Sequence, residues 1–137
     1  MSFDTFSRLA FVLALAALGW LVYRVGIRAR LQRLAACPTP GFQAGNPALV
    51  LFSSPDCVPC RTLQKPEIAH FQQDWVSKVQ LIEIDVTERP DLARAWGVMS
   101  LPTTVVLDKR GTAQHFNPGI VRRSDLIRQF ASLEKLS

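Results

Sequence analysis

Histidine and cysteine are scarce in this sequence, and charged residues are few. The 137 residues include two histidines and three cysteines, which is too few cysteines for a small domain held together by disulfides. Charged residues make up 20% and apolar residues 48%, so a disordered chain, a collagen-like chain and a coiled-coil rod are excluded. The sequence has no internal repeat. This composition predicts an ordinary folded domain.

Basic residues are spread unevenly along the chain, whose net charge is +5. Residues 1–37 contain five arginines and one aspartate, whereas residues 38–137 contain 11 basic and 10 acidic side chains. A protein that binds nucleic acid needs a basic face for the phosphate backbone. The nearly neutral second part has no such excess, so we expect no nucleic-acid partner.

Residues 9–27 form one long apolar run whose only charged residue, Arg24, lies near its end. At about 1.5 Å per residue, a helix of this length spans roughly 28 Å, close to the ~30 Å hydrocarbon core of a bilayer. Trp20 and Tyr23 lie near the same end, where amphipathic rings favour the membrane interface. We expect a transmembrane helix over residues 9–27, with residues 1–8 as its N-terminal flank.

Three other interpretations of this apolar run stay open. A cleaved signal peptide would need a more basic start. A lipoprotein box at residues 34–37 is separated from the run by arginines, and a buried core helix is seldom so long and uniformly apolar. The flank after the run carries more arginines than the flank before it. The positive-inside rule therefore predicts a single-pass membrane protein whose main domain faces the cytoplasm, with the exported side as the alternative.

The rest of the chain divides into a linker and a domain. Residues 28–47 are predicted to be a linker, basic at first and then rich in proline and glycine. Beyond it, a fully apolar run predicts a buried strand at residues 48–52, and further strands are predicted at residues 79–86, at 103–107 and, after a turn at residues 109–111, at 113–116. Their spacing predicts an α/β domain over residues 48–137, in the order β-α-β-α-β-β-α, with a parallel or mixed sheet covered by helices.

Three helices are expected in this domain. The first should run from about Cys57 to Trp75, with a kink at Pro66. The second should begin at Pro90, and the third should be capped by Ser124. Leu126, Ile127, Phe130 and Leu133 would then share one apolar face of the third helix.

The sequence Cys57-Val58-Pro59-Cys60 lies between an apolar strand and a predicted helix. A cysteine at a helix N-terminus meets unpaired N–H groups and the positive end of the helix dipole, both of which favour the thiolate. The second cysteine is one helical turn away, where it can resolve a mixed disulfide. Cys57 is therefore the predicted nucleophile, and Cys60 is the predicted resolving thiol.

Other uses of these cysteines fit the sequence less well. A zinc site would need a second ligand pair, and only Cys37, His70 and His115 could supply it. Haem attachment needs a histidine after the second cysteine, where this chain has Arg61. A purely structural disulfide leaves the strand–turn–helix setting unexplained.

Several residues with chemically active side chains are assigned structural roles. His70 and His115 are expected at the surface or half-buried rather than in catalysis. Asp85 should cap a turn at the end of a strand, and Met99 should have a packing role, with a place near Cys57 as the alternative.

Two separated motifs resemble the thioredoxin family. They are ALVLFSSPDCVPC at residues 48–60 and GVMSLPTT at residues 97–104. The resemblance covers about residues 47–135 and implies a thioredoxin-like fold and thiol–disulfide exchange. In that family, the proline aligned with Pro102 is cis and faces the cysteines, and the residue before it offers its backbone to the substrate. The positions that the resemblance implies in substrate binding are Val58, Pro59, Leu101, Pro102 and Gly119.

Some positions depart from the family pattern. Asp56 stands where family members often carry tryptophan, and its charge should oppose a thiolate at the next residue. Leu51 and Leu81 align with a buried aspartate and its lysine neighbour, so Cys60 should lack a proton acceptor and substrates should be reduced more slowly. Pro66 is about one residue out of register with the family's helix proline. The family's first strand and helix have no counterpart in residues 38–47, which predicts a minimal core.

The sequence thus predicts a membrane-anchored thiol–disulfide oxidoreductase that needs no metal or organic cofactor. Its expected partners are protein disulfides or dithiols and a separate electron donor, and the net direction of transfer stays undetermined. Two alternatives remain: a copper(I) carrier that uses Cys57 and Cys60 as ligands, and a redox-inert binding module with the same fold.

Overall fold

Six consecutive buried residues form the central strand of a four-stranded sheet. The computed structural model describes residues 3–35, 37, 39–75 and 78–135. Strand β1 (Ala48–Ser53) lies between β2 (Gln80–Asp85) and β3 (Thr103–Leu107), and β4 (Ala113–Pro118) pairs with the outer side of β3. β1 is parallel to β2 and antiparallel to β3, and β3 is antiparallel to β4. The predicted mixed sheet is therefore confirmed.

Alternate residues of β1 face two different hydrophobic layers, as the two-residue period of a strand requires. Val50 and Phe52 pack with Trp96 on one face. Leu49 and Leu51 pack on the other face against the helices described below. Because both faces are covered, β1 contains no polar residue before Ser53.

Four segments of the chain are α-helical. Within the described residues they are α1 (Phe3–Ala35), α2 (Lys65–Trp75), α3 (Pro90–Ala95) and α4 (Arg123–Glu134). The apolar face predicted for α4 is confirmed, since Leu126 and Phe130 are buried and Ile127 and Leu133 pack beside them. In this layer the rings of Phe71 and Phe130 stack with centroids 5.1 Å apart.

The helix that follows the cysteines contains a wider turn just before its proline. Helical geometry begins at Val58, and residues Cys60–Gln64 form a single π-helical turn that continues into α2. The N–H of Lys65 donates to the carbonyl of Cys60, five residues back. Pro66 has no N–H and its ring crowds the preceding turn, and π turns commonly take up such irregularities. The kink predicted at Pro66 thus takes the form of this turn.

A neighbouring helix caps α4, and Ser124 does not. Helix α4 begins at Arg123, and its N-cap residue, Arg122, makes no side-chain capping hydrogen bond. Instead, the Arg123 N–H donates to the Glu67 carboxylate of α2 over 2.7 Å. The predicted Ser124 cap is wrong because a carboxylate from another helix takes that place, a contact that local sequence cannot show.

Most of helix α1 lies in one compact unit, which ends at Arg30, and its last turn lies in the second unit, which begins at Leu31. The helical segment Phe6–Ala29 is long and apolar enough to cross a membrane. None of its most apolar 18-residue stretch is buried against the rest of the protein. A core helix would be mostly buried, so that interpretation does not fit. The helix continues to Ala35, and the first part of the predicted linker, residues 28–35, is therefore helical.

The proline- and glycine-rich residues 39–47 form no helix or strand, but they are fixed to the domain. Phe42 packs against the hydrophobic layer that contains Trp96. The N–H of Gly45 donates to the Lys109 carbonyl over 2.9 Å, and the Gln80 amide donates to the carbonyl of Gln43 over 2.6 Å. This segment is a docked loop and not a free tether.

The contact between Phe42 and Gly111 makes a prediction about stability. Gly111 has φ +83°, and a Cβ there would lie 2.9 Å from Cε1 of Phe42. Gly41 has nearly the same φ, +82°, with nothing within 4 Å of such a Cβ. Gly111→Ala and Gly41→Ala should each lower the free energy of unfolding by about 1 kcal/mol, because alanine is strained in the left-handed backbone conformation. Gly111→Ala alone should lower the free energy of unfolding by about 1 kcal/mol more, because the Phe42 ring must move to make room for the new Cβ.

Urea unfolding of the full chain in detergent, monitored by tryptophan fluorescence, measures the two free energies of unfolding. Equal losses in the two variants would show that Phe42 does not hold its place over Gly111.

Candidate active site

The two cysteines lie where β1 ends and the next helix begins. Cys57 and Cys60 form a disulfide with Cα atoms 5.3 Å apart. Cys57 is half-buried, whereas Cys60 is completely buried. An incoming sulfur atom can therefore approach only the first cysteine directly.

Backbone hydrogen bonds place Cys57 at the helix N-cap. Its carbonyl accepts the N–H of Arg61 over 3.4 Å, and its Sγ accepts the N–H of Cys60 over 3.3 Å. A side-chain acceptor at the N-cap satisfies an otherwise unpaired helix N–H. After reduction of the disulfide, the same N–H and the helix dipole would stabilise a thiolate at Cys57.

The two charged residues beside the cysteines are both in contact with solvent. Asp56 and Arg61 are exposed, so water and salt screen their effect on the sulfur atoms. The helix amides are fixed and adjacent to Sγ. They therefore have more influence on the thiolate than either exposed side chain.

Strand pairing brings Pro102 to the same edge of the sheet as the cysteines. Thr103, the first residue of β3, pairs with Phe52 near the end of β1. The Leu101–Pro102 peptide bond that leads into β3 is cis, as the resemblance implied. Pro102 is buried and Leu101 is half-buried.

The loop after β4 is the third segment at this edge. The N–H of Gly119 donates to the carbonyl of Pro102 over 2.8 Å. Gly119 has φ +90°, a conformation that a side chain would strain. The predicted positions Leu101, Pro102 and Gly119 thus lie on two loops that are hydrogen-bonded to each other.

The three segments at this edge are the cysteine loop with the start of its helix, the loop before β3 and the loop after β4. Each of them exposes an apolar side chain. Val58, which follows the first cysteine, is 55% exposed, Met99 is 94% exposed and Ile120 is 48% exposed. The packing role predicted for Met99 is wrong, because its side chain is exposed in the loop before the cis bond. Ile120 was not predicted from the sequence, although it directly follows the predicted Gly119.

Leu51, which stands where the family pattern places a proton acceptor, lies in apolar surroundings. Leu51 is 1% exposed and lies in the layer between the sheet and α2 and α4. Leu81, which aligns with the family's lysine, is 39% exposed and pairs with Leu49, so only Leu51 of these two leucines is buried. Leu81 is exposed because β2 is an edge strand.

A carboxylate on β2 lies across from Leu51. Glu83 pairs with Leu51 in the sheet, accepts the Ser53 hydroxyl over 3.0 Å and forms a 2.6 Å ion pair with Lys65. The Glu83 side chain is 43% exposed. This carboxylate is therefore an external, paired group and not the buried acid that the family pattern places at Leu51.

A buried glutamine near the cysteines was missed by the sequence analysis. Gln64 is completely buried, and its side-chain amide exchanges two hydrogen bonds with the backbone of Val121, at 3.1 and 2.8 Å. The available signal was spacing, since Gln64 precedes the buried Ile68 and Phe71 at helical intervals. A polar residue in such an apolar stripe indicates a buried partner.

The remaining predicted residues take structural positions. The Asp85 carboxylate accepts the Thr87 N–H and hydroxyl, and these bonds lower the pKa of Asp85, so its predicted role in a turn is confirmed. His70 is exposed, and burial lowers the pKa of His115. Cys37 donates to the Ala95 carbonyl over 3.2 Å, and burial raises the pKa of its thiol. Among the described residues, no group of three or more His, Cys, Asp or Glu side chains could hold a metal ion.

Comparisons with known proteins agree with this geometry. Residues 42–132 match the family model Thioredoxin. The chain is 35% identical over 81 residues to a thioredoxin of Rickettsia bellii, covering 59% of this chain and 75% of that protein. It is 43% identical over 54 residues to NADPH-dependent thioredoxin reductase 3 of Arabidopsis thaliana, covering 39% of this chain and 10% of that protein.

A solved structure extends the likeness to the fold. Chloroplastic thioredoxin z superposes with a TM-score of 0.59 at 25% identity, over 66% of this chain and 80% of that one. The matched residues 42–132 contain the cysteine helix, the cis-proline loop and every strand that the structure describes. Because a single continuous match spans all of these parts, this chain belongs to the thioredoxin family of thiol–disulfide oxidoreductases.

Proposed function

We propose that this chain is a membrane-anchored enzyme that exchanges thiols and disulfides with proteins, with Cys57 as nucleophile and Cys60 as resolving thiol. The observation that carries the proposal is the difference between the two sulfur atoms. Cys57 is half-buried and its Sγ accepts a helix N–H, whereas Cys60 is completely buried. A substrate disulfide can therefore be attacked only by the first cysteine.

The reaction proceeds in two exchanges. In the reduced enzyme, the Cys57 thiolate attacks one sulfur of the substrate disulfide; that S–S bond breaks, a mixed disulfide forms, and the second substrate sulfur leaves as a thiolate that takes up a proton. Cys60 then loses its proton and attacks Sγ of Cys57, which releases the first substrate sulfur and forms the Cys57–Cys60 disulfide. Two electrons pass to the substrate, and the chemistry uses no metal or organic cofactor.

An extended stretch of substrate would bind along the edge where the three segments meet. The backbone of Leu101, the ring of Pro102 and the bare backbone of Gly119 are suited to hold a peptide strand beside the cysteines. Val58 and Pro59 would contact the substrate next to the reacting sulfur. The exposed side chains of Met99 and Ile120 favour substrates with apolar residues near the disulfide.

A separate protein must return two electrons to the Cys57–Cys60 disulfide. A dithiol protein or a reductase is the chemical class that can do so. The likeness of 54 residues to part of an NADPH-dependent thioredoxin reductase supports this class of donor.

The apolar part of α1 would anchor the domain to a membrane. Residues Phe6–Ala29 are long enough to cross a bilayer, and the Arg24 guanidinium lies 4.7 Å from the centre of the Trp20 ring, a pairing suited to the interface. The excess of arginine after the span favours a domain on the cytoplasmic side.

The roles of the two cysteines can be separated by single substitutions. Cys57→Ser should abolish reduction of insulin disulfides, because no accessible nucleophile remains. Cys60→Ser should instead accumulate a mixed disulfide between Cys57 and the substrate, visible as a shifted band on a non-reducing gel and removed by dithiothreitol. Trapping by Cys57→Ser in place of Cys60→Ser would reverse the assignment, and unchanged cellular function of the double variant would favour a binding module.

The lack of an acid at Leu51 can be tested by restoring one. In Leu51→Asp, a carboxylate beneath the cysteines should accelerate resolution of the mixed disulfide about tenfold. This gain is below that of a fully positioned base, because a buried carboxyl stays largely protonated at neutral pH. The control is Leu49→Asp, a substitution on the same face with the same 1% exposure. Both variants should lose several kcal/mol of stability.

Stopped-flow fluorescence measures the resolution rate in these variants. If both accelerate, or neither does, the missing acid at residue 51 does not limit the reaction.

Orientation can be tested by thiol trapping in intact cells with a Cys37→Ser variant. A domain in the cytoplasm should have free Cys57 and Cys60 thiols that react with a membrane-permeant alkylating reagent and not with an impermeant one. A disulfide, or thiols reached by the impermeant reagent, would place the domain on the exported side. A processed N-terminus in the same sample would mean that α1 is a cleaved signal.

A further inference from the structure

Gln64 is a buried polar side chain on the helix that carries the cysteines. It is 0% exposed and is the last residue of the π-helical turn that begins at Cys60. Burial of an amide without partners would cost about 1–3 kcal/mol. A buried amide in a folded protein is therefore expected to have hydrogen-bond partners.

Both hydrogen bonds of Gln64 go to one residue of the loop after β4. Its Nε2 donates to the Val121 carbonyl over 3.1 Å, and its Oε1 accepts the Val121 N–H over 2.8 Å. The side-chain amide thus pairs with a single backbone residue as a neighbouring strand would. We call this pair of bonds the Gln64–Val121 clamp.

In the loop after β4, two residues held by hydrogen bonds flank one exposed residue. Val121 is held by Gln64, and Gly119 is held through its N–H by the Pro102 carbonyl at 2.8 Å. Between them, Ile120 is 48% exposed. The loop therefore has both ends attached to the site and its middle residue presented to solvent.

The helical turn connects the clamp to the cysteines. The Lys65 N–H donates to the Cys60 carbonyl and closes a turn in which Gln64 lies one turn after Cys60, on the same side of the helix. Both side chains are completely buried. A change at Gln64 would remove the hydrogen bonds to the loop and leave both cysteines in the chain.

We propose that Gln64 is a positioning residue for protein substrates: the Gln64–Val121 clamp holds residues 119–121 against the cysteine helix, so that the loop is already in place when a peptide binds. The inference rests on the proposed function. Its specific consequence is that loss of the clamp weakens binding of protein disulfides and leaves the reactivity of Cys57 toward small disulfides unchanged.

The chain offers a matched control for the loss of two amide hydrogen bonds. Gln129 of α4 exchanges two hydrogen bonds with Asn117 of β4, at 2.9 and 3.0 Å. This pair joins a helix to a strand, as a structural contact does, and neither residue belongs to the three segments at the cysteines. Gln64→Met and Gln129→Met each remove two hydrogen bonds of a side-chain amide, the first at the loop after β4 and the second between α4 and β4.

Steady-state reduction of insulin and of dithiobis(nitrobenzoic acid) by the full chain in detergent tests the proposal. We expect Gln64→Met to raise KM for insulin about tenfold, with kcat and the rate with the small disulfide within twofold of the wild type, a split expected when uniform binding is lost. Gln129→Met should leave all of these unchanged. Equal effects of the two variants, or an equal loss with both substrates, would overturn the proposal.

Hydrogen exchange of the unsubstituted chain supplies a test that depends on no variant and no activity. The Val121 amide should exchange at least about 100-fold more slowly than amides of exposed loops, because it is bonded to a buried acceptor. Free exchange at Val121 would overturn the proposal even if Gln64→Met failed to fold. A wild-type chain that reduced neither substrate would contradict the proposed function, and the exchange result would then decide whether the clamp exists.

Discussion

The antiparallel pairing of β1 with β3 is the constraint on which the site depends. Because the two strands run in opposite directions, the end of β1 meets the start of β3, and Phe52 pairs with Thr103. The cysteine loop follows directly from the first strand, and the cis Leu101–Pro102 bond leads directly into the second. Parts of the chain about 45 residues apart are thus brought together by backbone hydrogen bonds that also form the buried centre of the sheet.

Hydrogen bonds at this edge hold the three segments in place. The Cys60 N–H binds Sγ of Cys57 within the cysteine segment, whereas the Gly119 N–H binds the Pro102 carbonyl and the Gln64 amide binds Val121 across two segments. The apolar side chains beside them remain exposed. Fixed backbone surrounded by exposed apolar groups suits the binding of an extended peptide whose sequence is only loosely specified.

Much of this arrangement could be predicted from the sequence, because it is local. Sequence patterns predict each strand to within two residues, and the C-x-x-C spacing before a helix picks out the two cysteines that form the disulfide. The cis bond at Pro102 came from resemblance and not from any rule about X–Pro pairs. Ser124 and Gln64 show the limit: the cap of α4 comes from Glu67, and the partner of Gln64 is Val121, 57 residues further along the chain. No local pattern encodes such contacts.

Leu51 shows how stability and rate oppose each other in this fold. A carboxyl group in the layer between β1 and α2 would have to lose its hydration, and the free-energy cost would reduce the stability of a domain with a small core. Leucine avoids that cost and packs with Phe71 and Phe130. In the proposed mechanism, Cys60 would give up its proton without a buried acceptor, which would slow the second exchange and not the first. Substrate capture by Cys57 and the three segments would then be separate from substrate release, which would depend on the apolar surroundings of Cys60.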